Sequence, residues 1–251
     1  MSKYKQSVMV IDNNTTLLLI ETATTNCSVA LVCGNETILD IRGGREYNHA
    51  ATIGGFVQKA LNAEREHSLR LDAVAISGGP GSYTGLRIGT ALAKGVCMAR
   101  RVPLLAIPTL EVLCATAMRL QQLPSNARLC PMIDARRMEV YTSLYSASEI
   151  EPLSPITAEI IDQPDYWQRQ SLAPSTESPI YYFGNGAGKL QELLAHEDVH
   201  YIDGITPLAA DMASLALKRF DAQQWKDPAY YEPHYLKEFV ATKPKNKVLQ
   251  L

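Results

Sequence analysis

One stretch limits what this chain can fold into more than any other. Leu71 to Arg101, LDAVAISGGPGSYTGLRIGTALAKGVCMARR, is an apolar strand that runs into a glycine-rich turn and out into a helix. Leu71, Ala73, Val74, Ala75 and Ile76 form a short apolar run, closed by Ser77-Gly78-Gly79-Pro80-Gly81 as expected where a buried strand ends. From Gly85 to Ala99 the helical period keeps Ile88, Leu92, Val96 and Ala99 on one stripe, and Ser82 or Thr84 stands ready to cap the first N–H groups. A second stripe, Gly85, Gly89, Ala93 and Cys97, leaves a nearly bare groove that another helix could approach closely. Glycines at a helix mouth have two readings, a cradle of N–H groups for a phosphate or a tight turn. No Lys-Ser or Lys-Thr pair completes a Walker loop, which favours the turn.

At 251 residues the chain is long enough for two domains with real cores. Hydrophobic residues make up 46% and charged residues 20%, the profile of an ordinary globular chain. A net charge of −2 argues against a general nucleic-acid binder, which needs a basic surface to gain from counterion release, and leaves room for a local basic patch. The five cysteines are odd in number and lack a CxxC pair, so they predict a reduced, cytoplasmic protein. Residues 1–16 have no apolar core fit for a signal peptide, and no stretch is long enough to span a bilayer; they read as an extension, and no membrane contact is expected.

Along the chain, Leu17–Ile20, Cys27–Cys33 and Glu36–Ile41 predict a three-stranded meander, followed by a helix over Asn48–Glu64. After the strand and helix already described come a strand at Pro103–Ile107 and a helix at Thr109–Gln122. The chain then starts again. LLLIETATTNCSVALV at Leu17–Val32 is echoed by RLCPMIDARRMEVYTSLY at Arg128–Tyr145, each an apolar strand, an acidic residue (Glu21, then Asp134), a polar turn and a second strand. A third strand near Pro155–Ile161 follows, then a helix at Pro164–Gln170 and a strand at Ile180–Phe183. A helix at Lys189–Ala195, a strand at Val199–Ile202 and a helix at Pro207–Phe220 complete the pattern. Gln122–Ala127 reads as the linker. The expected fold is α/β, two-lobed and actin-like (RNase H-like), with mixed sheets and flanking helices: lobes at 17–122 and 128–251, the helix near 207–222 packing back on the first.

GGPGSYTGLRIGTALAKG resembles the signature of the TsaB (YeaZ) family, the noncatalytic partner subunit in bacterial synthesis of threonylcarbamoyladenosine on tRNA, once filed with the M22 glycoproteases. LLLIETATTNCSVALV and PMIDARRMEVYTSLY extend the resemblance over nearly the whole chain. PHYLKEF is similar to the family's Pro-x-Tyr-Leu-Arg run with Lys237 in place of Arg, and Glu46 and His49 loosely match an Arg-Glu-His run. The resemblance implies a subunit that binds and activates a TsaD-type catalytic partner, with a TsaE-type ATPase joining and tRNA contacted indirectly. Phe56, Ala60, Gly85, Leu86, Gly89, Leu92, Ala93 and Val96 are expected to form the partner surface, and a homodimer through the same surface is plausible. The competing function classes are an M22-type metalloprotease and an actin-like ATPase or kinase.

Actin-like folds hold ATP phosphates at the first-strand turn of each lobe, so Glu21, Gly79, Gly81, Asp134, Gly184 and Gly186 mark a degenerate nucleotide site. Ala23 and Arg136 stand where glycines would serve it. No cofactor is expected within the chain itself, and a nucleotide at the partner interface stays open. Gly184-Asn185-Gly186-Ala187-Gly188-Lys189 is neither a Walker nor a Rossmann string. His196-Glu197-Asp198-Val199-His200 is formally HExxH, which binds zinc only when both imidazoles lie one turn apart on a helix; Val199–Ile202 instead alternates like a strand, and no metal is expected. TsaD-type relatives hold their metal with an HxxxH pair on the helix after the first half's last strand. The matching IPTLEVLCATAMRL has no histidine and a single carboxylate, Glu111, so no catalytic residue is assigned.

Overall fold

The structure, a computed structural model, describes residues 14–43, 49–169 and 173–237. Most of the expected extension, the segment Arg45-Glu46-Tyr47-Asn48, the side chain of His49, and Glu238 and Phe239 lie outside the described residues.

The first lobe runs β1 (Thr16–Glu21), β2 (Cys27–Cys33), β3 (Glu36–Gly43), α1 (His49–Glu66), β4 (Leu71–Ser77), α2 (Tyr83–Arg100), β5 (Leu104–Ile107) and α3 (Thr109–Leu120). Its sheet has the order β3-β2-β1-β4-β5, with the meander antiparallel and β1, β4 and β5 parallel. β1 and β4 read as unbroken apolar runs because successive side chains point to opposite faces and both faces are covered. Leu18, Ile20, Val74 and Ile76 face Ile53, Val57 and Ala60 of α1 and Ala93 and Cys97 of α2. Leu17, Leu19, Ala73 and Ala75 face the other way, toward Val112 of α3 and Met212, Leu215 and Ala216.

The second lobe repeats the plan: β6 (Arg128–Asp134), β7 (Glu139–Thr142), β8 (Tyr145–Ser146), β9 (Thr157–Ile160), α4 (Tyr166–Arg169), β10 (Ile180–Phe183), β11 (Val199–Ile202) and α5 (Ala213–Asp221). Its sheet order, β9-β7-β6-β10-β11 with β8 added on β6, is the first lobe's order strand for strand. The pairing senses match as well, antiparallel for β6 with β7 and β7 with β9, parallel for β6, β10 and β11. The duplicated sequence pattern is therefore a duplicated fold.

The helix that ends each half leans on the other. Leu110, Leu113, Cys114 and Ala117 of α3 pack on Leu129, Ile133 and Phe183 of the second sheet. α5 and the 3-10 turn before it (Ala210–Met212) pack on the first sheet. Two ion pairs tie α3 to this region, Arg119 Nε to Asp211 Oδ1 at 2.5 Å and Arg219 Nη2 to Glu111 Oε2 at 2.7 Å.

Three helices differ from the sequence reading. The segment expected as helix over Lys189–Ala195 forms only a 3-10 turn, Gly188–Leu190. A seven-residue stretch gains too few helical hydrogen bonds to offset nucleation, and Leu190 and Leu194 are buried by turns instead. α4, expected from Pro164, begins at Tyr166, where Trp167 Nε1 donates to Leu194 O at 3.1 Å. The last helix begins as 3-10 and becomes α-helical only at Ala213.

Candidate functional site

The first lobe's apex gathers the end of β1, the end of β4 and the start of α2. Ser82 caps α2, its Oγ accepting from Gly85 N at 3.3 Å. Glu21 is fully buried at the end of β1, its Oε1 accepting from Ala23 N at 2.6 Å while Oε2 has no partner among the described residues. Burial pushes its carboxyl up to about 7, against hydrogen bonds from Ala23, Ser77 and Thr22 that lower it.

The glycines of this apex serve the chain's own backbone. Gly79 takes φ +99°, and a Cβ there would lie under 3.0 Å from His234 O; at Gly81 it would meet Ala23 O at similar range. Ser82 N donates to Ala23 O at 2.7 Å, Thr109 N to Gly79 O at 3.0 Å and His234 N to Gly78 O at 2.8 Å. The space and part of the N–H set that a phosphate would use are taken by the β1–β2 turn and by the segment around His234. In the second lobe Gly184, at φ +108°, is pressed on Met132 O, and Gly186 on Val140 and the Asp134 amide. Asp134 is ion-paired with Lys189, which also donates to Glu139 O at 2.8 Å. Glu21, Gly79 and Gly81 thus share one apex and Asp134, Gly184 and Gly186 the other.

The small-residue stripe of α2 faces inward. A Cβ on Gly85 would lie under 3.0 Å from Thr22 O, and one on Gly89 under 3.0 Å from Thr22 Oγ1. Gly85, Leu86, Gly89, Ala93 and Cys97 are buried, and so is Ala60 of α1. Gly85, Leu86, Gly89, Ala93 and Ala60 therefore leave the expected partner surface. The groove exists, and what enters it is the β1–β2 turn rather than a partner helix. Phe56, Leu92 and Val96 stay half-buried at the outer side, with Ile88 beside them.

His196 and His200 do not share a helix turn. His196 bridges to Val199 across a tight turn and its Nδ1 accepts from Asp198 N at 3.1 Å, while His200 is a β11 residue against the Tyr181 ring at 4.9 Å. HExxH chemistry needs the helical spacing that this strand destroys. On α3, Glu111 is held by Arg219, and no group of three His, Cys, Asp or Glu among the described residues could hold a metal. The residues present do not fit a TsaD-type metal site.

The sequence marks PHYLKEF only by its likeness to a family run and does not show where Tyr231–Lys237 packs. Tyr231 Oη covers Gly78, Tyr235 lies against Tyr83 with ring centroids 4.9 Å apart, and Lys237 is ion-paired with Glu139 of β7. It bridges the apex of one lobe to the other. The available signal was YEPHYLK, whose two tyrosines and lysine stand out in a segment without helical or strand period.

Two sheets of one strand order, joined by exchanged terminal helices, define a two-lobed actin-like protein. Residues 45–247 match the model of the family described as TsaD: tRNA N6-adenosine threonylcarbamoyltransferase. The Escherichia coli (strain K12) tRNA threonylcarbamoyladenosine biosynthesis protein TsaB is 29% identical over 90% of this chain and 96% of its own length. The Bacillus subtilis (strain 168) TsaB is 34% identical over 52% of this chain, a match spanning 55% of that relative. The solved structure of YeaZ from Pseudomonas aeruginosa superposes with a TM-score of 0.74 at 27% identity, covering 88% of this chain and all of that one. The chain belongs to the TsaD family, in its TsaB (YeaZ) branch.

Proposed function

We propose that this chain is the noncatalytic, activating subunit for TsaD-type threonylcarbamoyl transfer to N6 of the adenosine beside the tRNA anticodon. In this reading it works in the cytoplasm as half of a heterodimer with a TsaD-type subunit, a TsaE-type ATPase joins, and the same surface forms a homodimer when the partner is absent. The observation that carries the noncatalytic reading is α3. Where the catalytic relatives are expected to place metal-binding histidines, this helix has one carboxylate, and Arg219 neutralises it. Among the described residues no helix is long and apolar enough to cross a membrane.

The partner surface we assign is the outer face of α1 and α2, centred on Phe56, Ile88, Leu92 and Val96. These large apolar side chains are rooted in their own core and still partly exposed, which suits anchors that complete their burial on binding. Leu92→Arg should leave the chain folded and weaken capture of a TsaD-type subunit by about 30-fold or more, the scale of a central anchor worth about 2 kcal/mol. A folded Leu92→Arg protein with unchanged affinity would remove this face from the interface.

A further inference from the structure

A cleft of about 740 Å³ lies between α2 and the segment Tyr231–Lys237. Helical spacing puts its α2 residues, Tyr83, Arg87, Thr90 and Lys94, on the side of that helix away from Leu92, so it is not the partner face. Arg87 and Lys94 are seven residues apart, about 10 Å along the axis. Arg87 sits 5.4 Å over the Tyr83 ring and donates to its Oη at 3.0 Å; Lys94 Nζ donates to Ala229 O at 3.4 Å. Neither cation lies within ion-pair distance of a carboxylate among the described residues, whereas Lys237 at the rim is committed to Glu139. One carboxylate, Glu232, also lines the cleft. Thr90, only 6% exposed, has a hydroxyl oxygen without a partner among the described residues. The Tyr83 and Tyr235 rings, 4.9 Å apart and tilted by 43°, stand beside the Arg87 guanidinium.

We propose that this cleft binds a nucleotide unit, free or within a single RNA strand, with its base against the Tyr83–Tyr235 pair and its phosphates on Arg87 and Lys94. Flat rings next to uncompensated cations are the combination that holds single-stranded nucleic acid without reading sequence. A net charge of −2 for the chain does not oppose this, because counterion release depends on the local cations. Only the choice of RNA as the strand rests on the proposed function. Binding is measured on this chain alone, so it succeeds or fails independently of any TsaD-type partner.

The test is fluorescence anisotropy of the full chain with a labelled short oligoadenylate RNA over a salt series, and calorimetry with AMP. The expected result is binding that weakens with salt. Arg87→Gln and Lys94→Gln should each lower the slope of log K against log salt by about 0.7, one phosphate contact of a single strand. Tyr235→Ala should weaken binding about tenfold with the slope unchanged, since stacking carries no counterion. AMP binding with the same Tyr235 dependence assigns a free nucleotide as the source; RNA binding without AMP binding assigns a strand. Circular dichroism checks that each variant is folded. The proposal is overturned if neither probe binds, if the slope is unmoved in the folded Arg87→Gln and Lys94→Gln proteins, or if an oligoglutamate of matched charge displaces the RNA equally well.

Discussion

Gly85→Ala and Gly95→Ala make the same chemical change on one helix, and the structure gives them opposite signs. Each gains up to about 1 kcal/mol of intrinsic helix preference. At Gly95 nothing lies within 4 Å of the added Cβ, so the gain is kept, and Tm should rise by about 2–4 °C for a chain of this size. At Gly85 the Cβ would lie under 3.0 Å from Thr22 O and 3.3 Å from both Cβ and Oγ of the capping Ser82. The obstacle is backbone of the β1–β2 turn, which cannot rotate aside as a side chain can. Overpacking of about 3 kcal/mol and a weakened cap of about 1 kcal/mol outweigh the helix gain. The net loss is about 3 kcal/mol, and Tm should fall by roughly 6–12 °C. Thermal melts of both variants by circular dichroism read this directly. If Gly85→Ala melts with the parent protein and instead loses capture of a TsaD-type subunit, the stripe is a partner groove and its inward packing is wrong.

Two further outcomes follow from named groups. Glu21 has its folded-state carboxyl raised from 4.5 to about 7 by burial. The folded protein therefore holds a proton that the unfolded chain has lost, and this contribution is full below pH 4.5 and disappears as pH rises to about 7. Glu21→Gln should flatten that part of the stability–pH curve, a component on the order of 3 kcal/mol; identical curves for parent and variant in urea titrations would show that folding does not raise the Glu21 carboxyl. Glu197→Gln and His200→Ala, both at exposed positions, should change neither tRNA modification in a depleted strain nor metal content by elemental analysis. Failure of the folded Glu197→Gln protein to rescue would make that segment functional.

Much of the fold was legible because burial on two faces and the helical period leave plain marks. The runs in β1 and β4 read as strands covered on both sides, and the echo of LLLIETATT in RLCPMIDARR foretold one sheet order used twice. The short second-lobe helices were not legible, because Leu190 and Leu194 satisfy an amphipathic pattern whether they sit in a helix or in successive turns. The stripe of α2 is legible in the sequence and the direction it faces is not. Spacing says that Gly85, Gly89 and Ala93 share a face, but only Thr22 standing against that face tells what the bare backbone admits. At Gly79 and Gly184 the sequence favours a turn over a phosphate cradle, but only the structure shows what stands against them, His234 O and Met132 O. His200 shows the converse, a motif written for a helix in a sequence whose Val199–Ile202 alternation already required a strand.

The central claim, an activating subunit without chemistry of its own, is tested most directly by reconstitution. Purified chain, TsaD-type subunit, TsaE-type ATPase and unmodified tRNA are combined with threonylcarbamoyl adenylate, and modified adenosine is quantified by mass spectrometry of digested tRNA. The account predicts no product from the chain alone, little from the TsaD-type subunit alone, and turnover when the chain is added. Product from the isolated chain, or turnover by the other components at an equal rate without it, would contradict the account.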